Sequence, residues 1–210
     1  MRLRPMGESA ILVELPDATT TLALYRRLRA AQNPSVVDLV PAERTVLVVT
    51  RPGSRAAAER WLLETTTADA PGAVPAADST ASSIATVTIP VRYDGPDLAG
   101  VADILDSTPD EVVAAHTGAV WTAAFIGFAP GFAYLRAADD RLDLPRRASP
   151  RAAVPAGSVA LAAGYCGIYP RESPGGWHII GTTDAVLWDA ERADPALLAP
   201  GTEVGFRRVD

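Results

Sequence analysis

The 210-residue chain is 48% apolar and 21% charged, with a formal net charge of −6, a soluble globular profile with room for one large domain or two small ones. That charge argues against a nucleic-acid or anionic-membrane surface, which needs clustered positive charge. All 19 basic residues are arginine, so a P-loop, a kinase strand lysine, a Schiff-base amine and a biotin attachment site cannot be built from this chain alone.

In chain order, the start "MRLRPMGES" reaches Gly7-Glu8 before a secretory apolar region can develop, and no later stretch approaches the roughly 20 apolar residues of a membrane span. A cytoplasmic chain is expected, and the single Cys166 excludes an internal disulfide. An apolar run at 10–15 precedes a helical stretch at 20–31, with Leu24 and Leu28 on one face and Leu22 and Tyr25 beside it. Strands are expected at 36–40 and 45–50, joined by the turn "PAER", and Ser54 can cap a second helix carrying Ala57, Ala58, Trp61 and Leu62. This β-α-β-β-α order predicts a small ferredoxin-like α+β domain over residues 1–83, ending in an Ala/Pro/Ser/Thr/Gly-rich linker at 66–83.

A second domain is expected over 84–210. "ATVTIPVRY" alternates Val87, Ile89 and Val91 as a half-buried strand. "STPDEVVAAHTG" is a helix signal, with Thr108 as N-cap, Pro109 at the first position, Glu111 three after the cap and Gly118 as the stop. Strands follow at 120–125, 158–162, 177–182, 185–188 and 203–209, punctuated by Pro and Gly in the manner of a barrel or sandwich.

Three stretches can carry chemistry. "FIGFAPGFAYL" has two Gly-Phe pairs, Gly127-Phe128 and Gly131-Phe132, around a turn that predicts a barrel mouth; its aromatics are either core or a pocket rim. "LPRRASPRAAVPAGSVALAAG" places Arg146, Arg147 and Arg151 in one proline-rich loop, either a solvated surface or an anion clamp. "GIYPRESPGGWHIIGTT" brings His178 behind a Gly-Gly turn, where a histidine serves as donor or general base, or as an ordinary hydrogen-bonded residue. His116 has the same two readings, and no metal-ligand spacing is present.

These stretches, with "PVRYDGPDL", "HTG" at His116 and the closing "PGTEVGF", resemble the allophanate hydrolase subunit 1 family, also called the 5-oxoprolinase B-subunit family or KipI-type proteins. The resemblance covers nearly the whole chain, "GESAILVEL" and "VVDLVPAERTVLVV" matching more loosely. It implies an α+β fold with a cyclophilin-like β-barrel domain at 84–210, and a larger partner subunit that also has cyclophilin-like domains. The activities it implies are ATP-dependent opening of 5-oxoproline to glutamate with a third subunit, the carboxyltransferase part of a urea carboxylase, and inhibition of a sensor histidine kinase; the first is the leading expectation. ATP with Mg would be shared with the partner, and no biotin would be carried on this chain.

The resemblance places His116, Phe128, Pro130, Gly131, Phe132, Tyr134, Arg147, Arg151, Pro155, Gly157, Ser158, Tyr169, Ser173, Gly175, Gly176, Trp177 and His178 around one cleft. Arg147 and Arg151 would hold an anionic group, the aromatics would exclude water, and His178 or His116 would position a polar substrate atom. The sequence departs from the family, which usually has Gln at His178, Arg at Thr182 and Asp at Thr202.

Overall fold

The structure is a computed structural model that describes residues 1–67 and 86–210; most of the expected linker falls outside them. The chain divides into two compact units, Met1–Ile84 and Ala85–Asp210.

The first unit runs β1 (Arg2–Pro5), β2 (Ala10–Glu14), α1 (Ala18–Ala31), β3 (Val36–Pro41), β4 (Thr45–Thr50), α2 (Arg55–Thr67). Its antiparallel sheet has the order β1-β2-β4-β3. Period-2 alternation in β2 and β4 turns Ile11, Val13, Val46 and Val48 inward, where Leu24, Tyr25 and Leu28 of α1 and Ala58 and Leu62 of α2 cover them. The Asp17 carboxylate accepts the Thr20 N–H (2.7 Å), starting α1 two residues before the apolar periodicity does. Strand β1, which the sequence reading lacks, has almost no buried side chain and is held by its pairing with β2. Helix α2 continues to Thr67, so the expected linker start at 66 is still helical.

The second unit runs β5 (Val87–Val91), α3 (Leu98–Ile104), α4 (Pro109–Gly118), β6 (Trp121–Ile126), β7 (Ala133–Ala137), β8 (Arg151–Val154), β9 (Ser158–Ala162), β10 (Tyr165–Ile168), β11 (Ser173–Gly175), β12 (His178–Thr182), β13 (Glu203–Arg208). Seven strands pair in the order β12-β9-β10-β7-β6-β13-β5. The edges meet at a bridge between Arg92 and Thr182, whose backbone N–H groups each donate to the other's carbonyl (2.9 and 2.8 Å). The sheet is therefore a nearly closed barrel. β8 and β11 form a separate two-stranded sheet.

Helix α4 carries the full capping box read from the sequence, with Thr108 Oγ1 accepting the Glu111 N–H and the Glu111 carboxylate accepting the Thr108 N–H. The strand expected at 185–188 does not form; that segment is a loop with one isolated bridge from Trp188 to Ala196. Its four residues are all apolar, as in a strand, but only Leu187 is buried, against the barrel core.

Strand alternation divides the apolar residues between two faces. Val159, Leu161, Cys166, Ile168, Leu135 and Ile180 share a cluster with Ile89, Val91, Val204 and Phe206 of the remaining strands, which makes it the barrel interior. Ala160, Ala162, Tyr165, Tyr169 and Ile179 form a second cluster from β6, β7, β9, β10 and β12 and their flanking residues, with Val154 of β8 added, on the outer wall. Among the described residues no helix is long and apolar enough to cross a membrane.

Candidate functional site: an aromatic wall beside an arginine loop

The outer wall is a mesh of aromatic rings. Phe125 stacks on Tyr134 at 4.3 Å and 19°, and Tyr134 meets Tyr165 and Trp177 edge-on at 5.8 and 5.7 Å. Phe132 lies edge-on to Tyr134, Tyr169 and Trp177 at 5.1–5.6 Å, the offset arrangement that ring quadrupoles favour. Gly167 makes room for it, since a Cβ there would stand 2.7 Å from Phe132 Cζ and 3.0 Å from Trp177 Cζ3. Gly167→Ala is expected to cost about 2 kcal/mol by overpacking, read as a lower midpoint in urea and a changed near-ultraviolet dichroism of Trp177.

The turn joining β6 to β7 brings Phe128 onto this wall. Gly127 N–H donates to Phe132 O (3.1 Å), and Phe132 N–H donates to Ala129 O (3.0 Å). Between them Phe128 has φ +68 and Gly131 φ +82. A left-handed conformation is natural for glycine but costs a phenylalanine on the order of 1–3 kcal/mol. Phe128 is nevertheless 57% exposed, with its ring edge-on to Phe132 and Tyr169. The strained turn thus leaves this ring on the surface and out of the core.

The loop 144–151 crosses beside the wall and is pinned by its backbone. His178 Nε2 donates to Pro145 O (3.0 Å), which fixes the proton on that nitrogen, and Arg147 N–H donates to Gly176 O (2.8 Å). Arg147 Nη1 donates to Asp97 Oδ1 (2.6 Å), while Arg151 donates through both terminal nitrogens to the two Asp97 oxygens (2.8 Å each). Ile179 N–H adds a fourth bond, to Asp97 Oδ2 (2.8 Å). Burial alone would raise the Asp97 carboxyl, but the Arg151 hydrogen bonds, the Ile179 N–H and the charges of both arginines hold it below its ordinary value. The two guanidiniums expected to clamp an anionic ligand are thus engaged by the protein's own carboxylate.

The structure brings together Phe132, Tyr134, Tyr169 and Trp177 on the wall, with Phe128 at its edge, and Arg147, Arg151, Gly176 and His178 around Asp97 and its loop. Phe132, Tyr169 and Trp177 are packed as core, leaving Phe128 and part of Tyr134 reachable, and the rings spread over the outside of the barrel instead of facing a hollow at its mouth. Gly175 lies directly on the Tyr169 hydroxyl, and Gly131 lies against Leu187 and Trp188. Gly157 (φ +79) lies against Thr183 O, and Ser158 is buried in β9 between turn bonds to Pro155 and Tyr169. Ser173 is buried with its hydroxyl donating to Arg171 O (3.2 Å), while Pro130 and Pro155 are exposed.

His116 is elsewhere, wholly buried in the barrel interior between Phe206 (4.2 Å) and Trp121 (5.2 Å). Its Nδ1 faces the Tyr93 hydroxyl (2.7 Å) and its Nε2 faces Cys166 Sγ (3.3 Å). Sequence reasoning missed Asp97 and Phe125. "GPDL" marks Asp97 as a helix-capping residue, and it does occupy that position before α3, but its side chain makes no cap hydrogen bond and is left for the arginines.

The chain matches the family described as carboxyltransferase domain, subdomain C and D, over residues 1–198. It is 36% identical to the 5-oxoprolinase B-subunit of Escherichia coli O157:H7 over 96% of this chain and 93% of that one. The crystal structure of TTHA0988 superposes with a TM-score of 0.77 at 32% identity, covering 96% of this chain; this chain spans 40% of TTHA0988. The Kluyveromyces lactis urea carboxylase shares the fold (TM-score 0.70, 18% identity), with 99% of this chain matching 22% of that one. A match over nearly all of its length, carried by both sequence and fold, makes this chain a member of the carboxyltransferase domain, subdomain C and D, family.

Proposed function

We propose that the chain is the small subunit of an ATP-dependent amide-ring hydrolase of the 5-oxoprolinase type, opening the lactam of 5-oxoproline to glutamate together with a larger cyclophilin-like partner and a third subunit. The observation that carries this reading is the 36% identity to the 5-oxoprolinase B-subunit along 96% of the chain. The form of the wall supports it. Phe128, Phe125 and Tyr134 make a shelf open to solvent, and a reaction that must exclude bulk water needs a second surface over such a shelf. Residues 1–83 are read as a ferredoxin-like domain, on the β2-α1-β3 crossover with β4 between its strands, and residues 84–210 as a cyclophilin-like barrel.

The described residues by themselves supply little that would hold ATP with Mg. No group of three or more Asp, Glu, His or Cys converges among them, the chain has no lysine, and Arg147 and Arg151 are held by Asp97. The nucleotide is read as shared with the partner subunits, which would supply the lysine and the metal contacts, and the complex as cytoplasmic, where ATP is supplied. The test is a coupled assay on the chain purified with its partners. ATP hydrolysis is expected only when 5-oxoproline is present and only when this chain is included; ATP turnover that ignores either would overturn the reading.

A further inference from the structure

We infer that Arg146 is the anchor for the substrate's carboxylate, holding a small cyclic acid by its anionic end while the ring lies on the Phe125–Tyr134 stack. This deepens the 5-oxoprolinase reading and rests on it for the identity of the acid. The three arginines of the loop divide their work. Arg147 and Arg151 are turned to Asp97, whereas among the described residues no hydrogen bond or ion pair engages the guanidinium of Arg146. Its backbone is not free to wander, because the residues on either side are fixed by His178 Nε2–H to Pro145 O (3.0 Å) and Arg147 N–H to Gly176 O (2.8 Å). His178 and Gly176 flank Trp177 of the aromatic wall, so these two bonds set the backbone of the exposed Arg146 beside that wall. Burial raises both Tyr134 and Tyr169, and the charge of Arg146 opposes that rise at each.

Physical chemistry then selects the ligand. Two arginines against one carboxylate leave the Asp97 cluster with a net positive charge, and Arg146 adds a second beside an apolar floor. A guanidinium fork binds a carboxylate through two parallel hydrogen bonds, a geometry that lysine cannot reproduce. A further cation on this wall, Arg136, sits 5.8 Å from the centre of the Tyr165 ring and is already paired with Asp140. A five-membered lactam acid has the required parts: one carboxylate for Arg146 and a flat amide ring for the stack.

The test is a tryptophan-fluorescence titration of the full chain, alone and assembled with its partners, using 5-oxoproline and its neutral carboxamide. Wild type is expected to bind the acid at least tenfold more tightly than the carboxamide. Arg146→Ala is expected to weaken acid binding roughly 10- to 100-fold, the range for losing a charged hydrogen bond, and Arg146→Lys to recover only part of it. Carboxamide binding and the melting temperature are expected to stay unchanged in both variants. In the coupled assay KM for 5-oxoproline should rise with kcat nearly constant. Equal binding of the acid by wild type and Arg146→Ala, or no binding of the acid to the chain in either form, would overturn the anchor. Acid binding that depends on Arg146 without 5-oxoproline-dependent ATP turnover would instead remove the 5-oxoprolinase reading and leave the anchor standing.

Discussion

Replacing Asp97 with asparagine is expected to destabilise the barrel unit by about 3 kcal/mol at neutral pH. The carboxylate accepts four hydrogen bonds, from Arg147, twice from Arg151, and from Ile179. An amide of the same shape has one acceptor oxygen and turns an NH2 toward a guanidinium. Breaking a fully buried pair costs about 3–5 kcal/mol, and the lower end applies because the arginine side chains keep 30% and 25% of their exposure while Asp97 keeps only 9%. The pH dependence has a definite sign. The folded carboxyl lies below its ordinary value of 3.8, so its contribution is complete above that value and is lost as pH falls through the folded pKa. Urea unfolding of wild type and Asp97→Asn should therefore differ by a constant amount from pH 7 to about 5 and converge under strong acid. An equal gap at all pH values would show that shape rather than charge holds the loop.

What could be read from the sequence was what is written locally. Helix α4 was legible because Thr108, Pro109 and Glu111 satisfy its first turn within four residues. The strand at 158–162 was legible from composition and turn punctuation, and Phe128, Phe132 and Tyr134 as an aromatic cluster, but Phe125 and Tyr165 were not, and the cluster lies on the outer wall where a barrel mouth was expected. Period-2 alternation shows that Tyr134 and Leu135 face opposite ways, but which face is inside depends on how the sheet closes, and closure rests on a bridge between residues 92 and 182. Strand β1, "RLRP", carries no apolar alternation to read, since pairing alone makes it a strand. Arg147 and Arg151 were visible as a cluster, whereas their partner Asp97 lies 50 and 54 residues away and looks locally like a cap. A single sequence shows where charges are, and only the fold shows which of them are already spoken for; Arg146 stands out only after its two neighbours have been subtracted.

His116 provides the second large effect, a loss of stability under mild acid. Burial holds its imidazole down at about 3, against 6.5 in the unfolded chain. Burial also raises the Tyr93 phenol and the Cys166 thiol, so both keep their protons at neutral pH. The neutral ring then has one N–H and one bare nitrogen to share between the Tyr93 hydroxyl and Cys166 Sγ. Folding favours the neutral ring, so its contribution is complete above pH 6.5 and drains away as the unfolded chain takes up a proton the folded one refuses, down to the folded value near 3. Linkage gives a loss of roughly 1.5 kcal/mol between pH 6.5 and 5 and roughly 3 kcal/mol by pH 4. This window lies above the one in which Asp97 acts, so the two separate along one titration of stability. His116→Phe fits among Phe206 and Trp121 but leaves the Tyr93 hydroxyl without its ring partner, at about 2–3 kcal/mol. The variant should accordingly be less stable than wild type at pH 7, show a flat profile between pH 6.5 and 4, and meet the falling wild-type curve near the acid end. A wild-type profile that is flat over that range would mean that the ring accepts a proton without unfolding the barrel, and the neutral Tyr93–His116–Cys166 chain would be wrong.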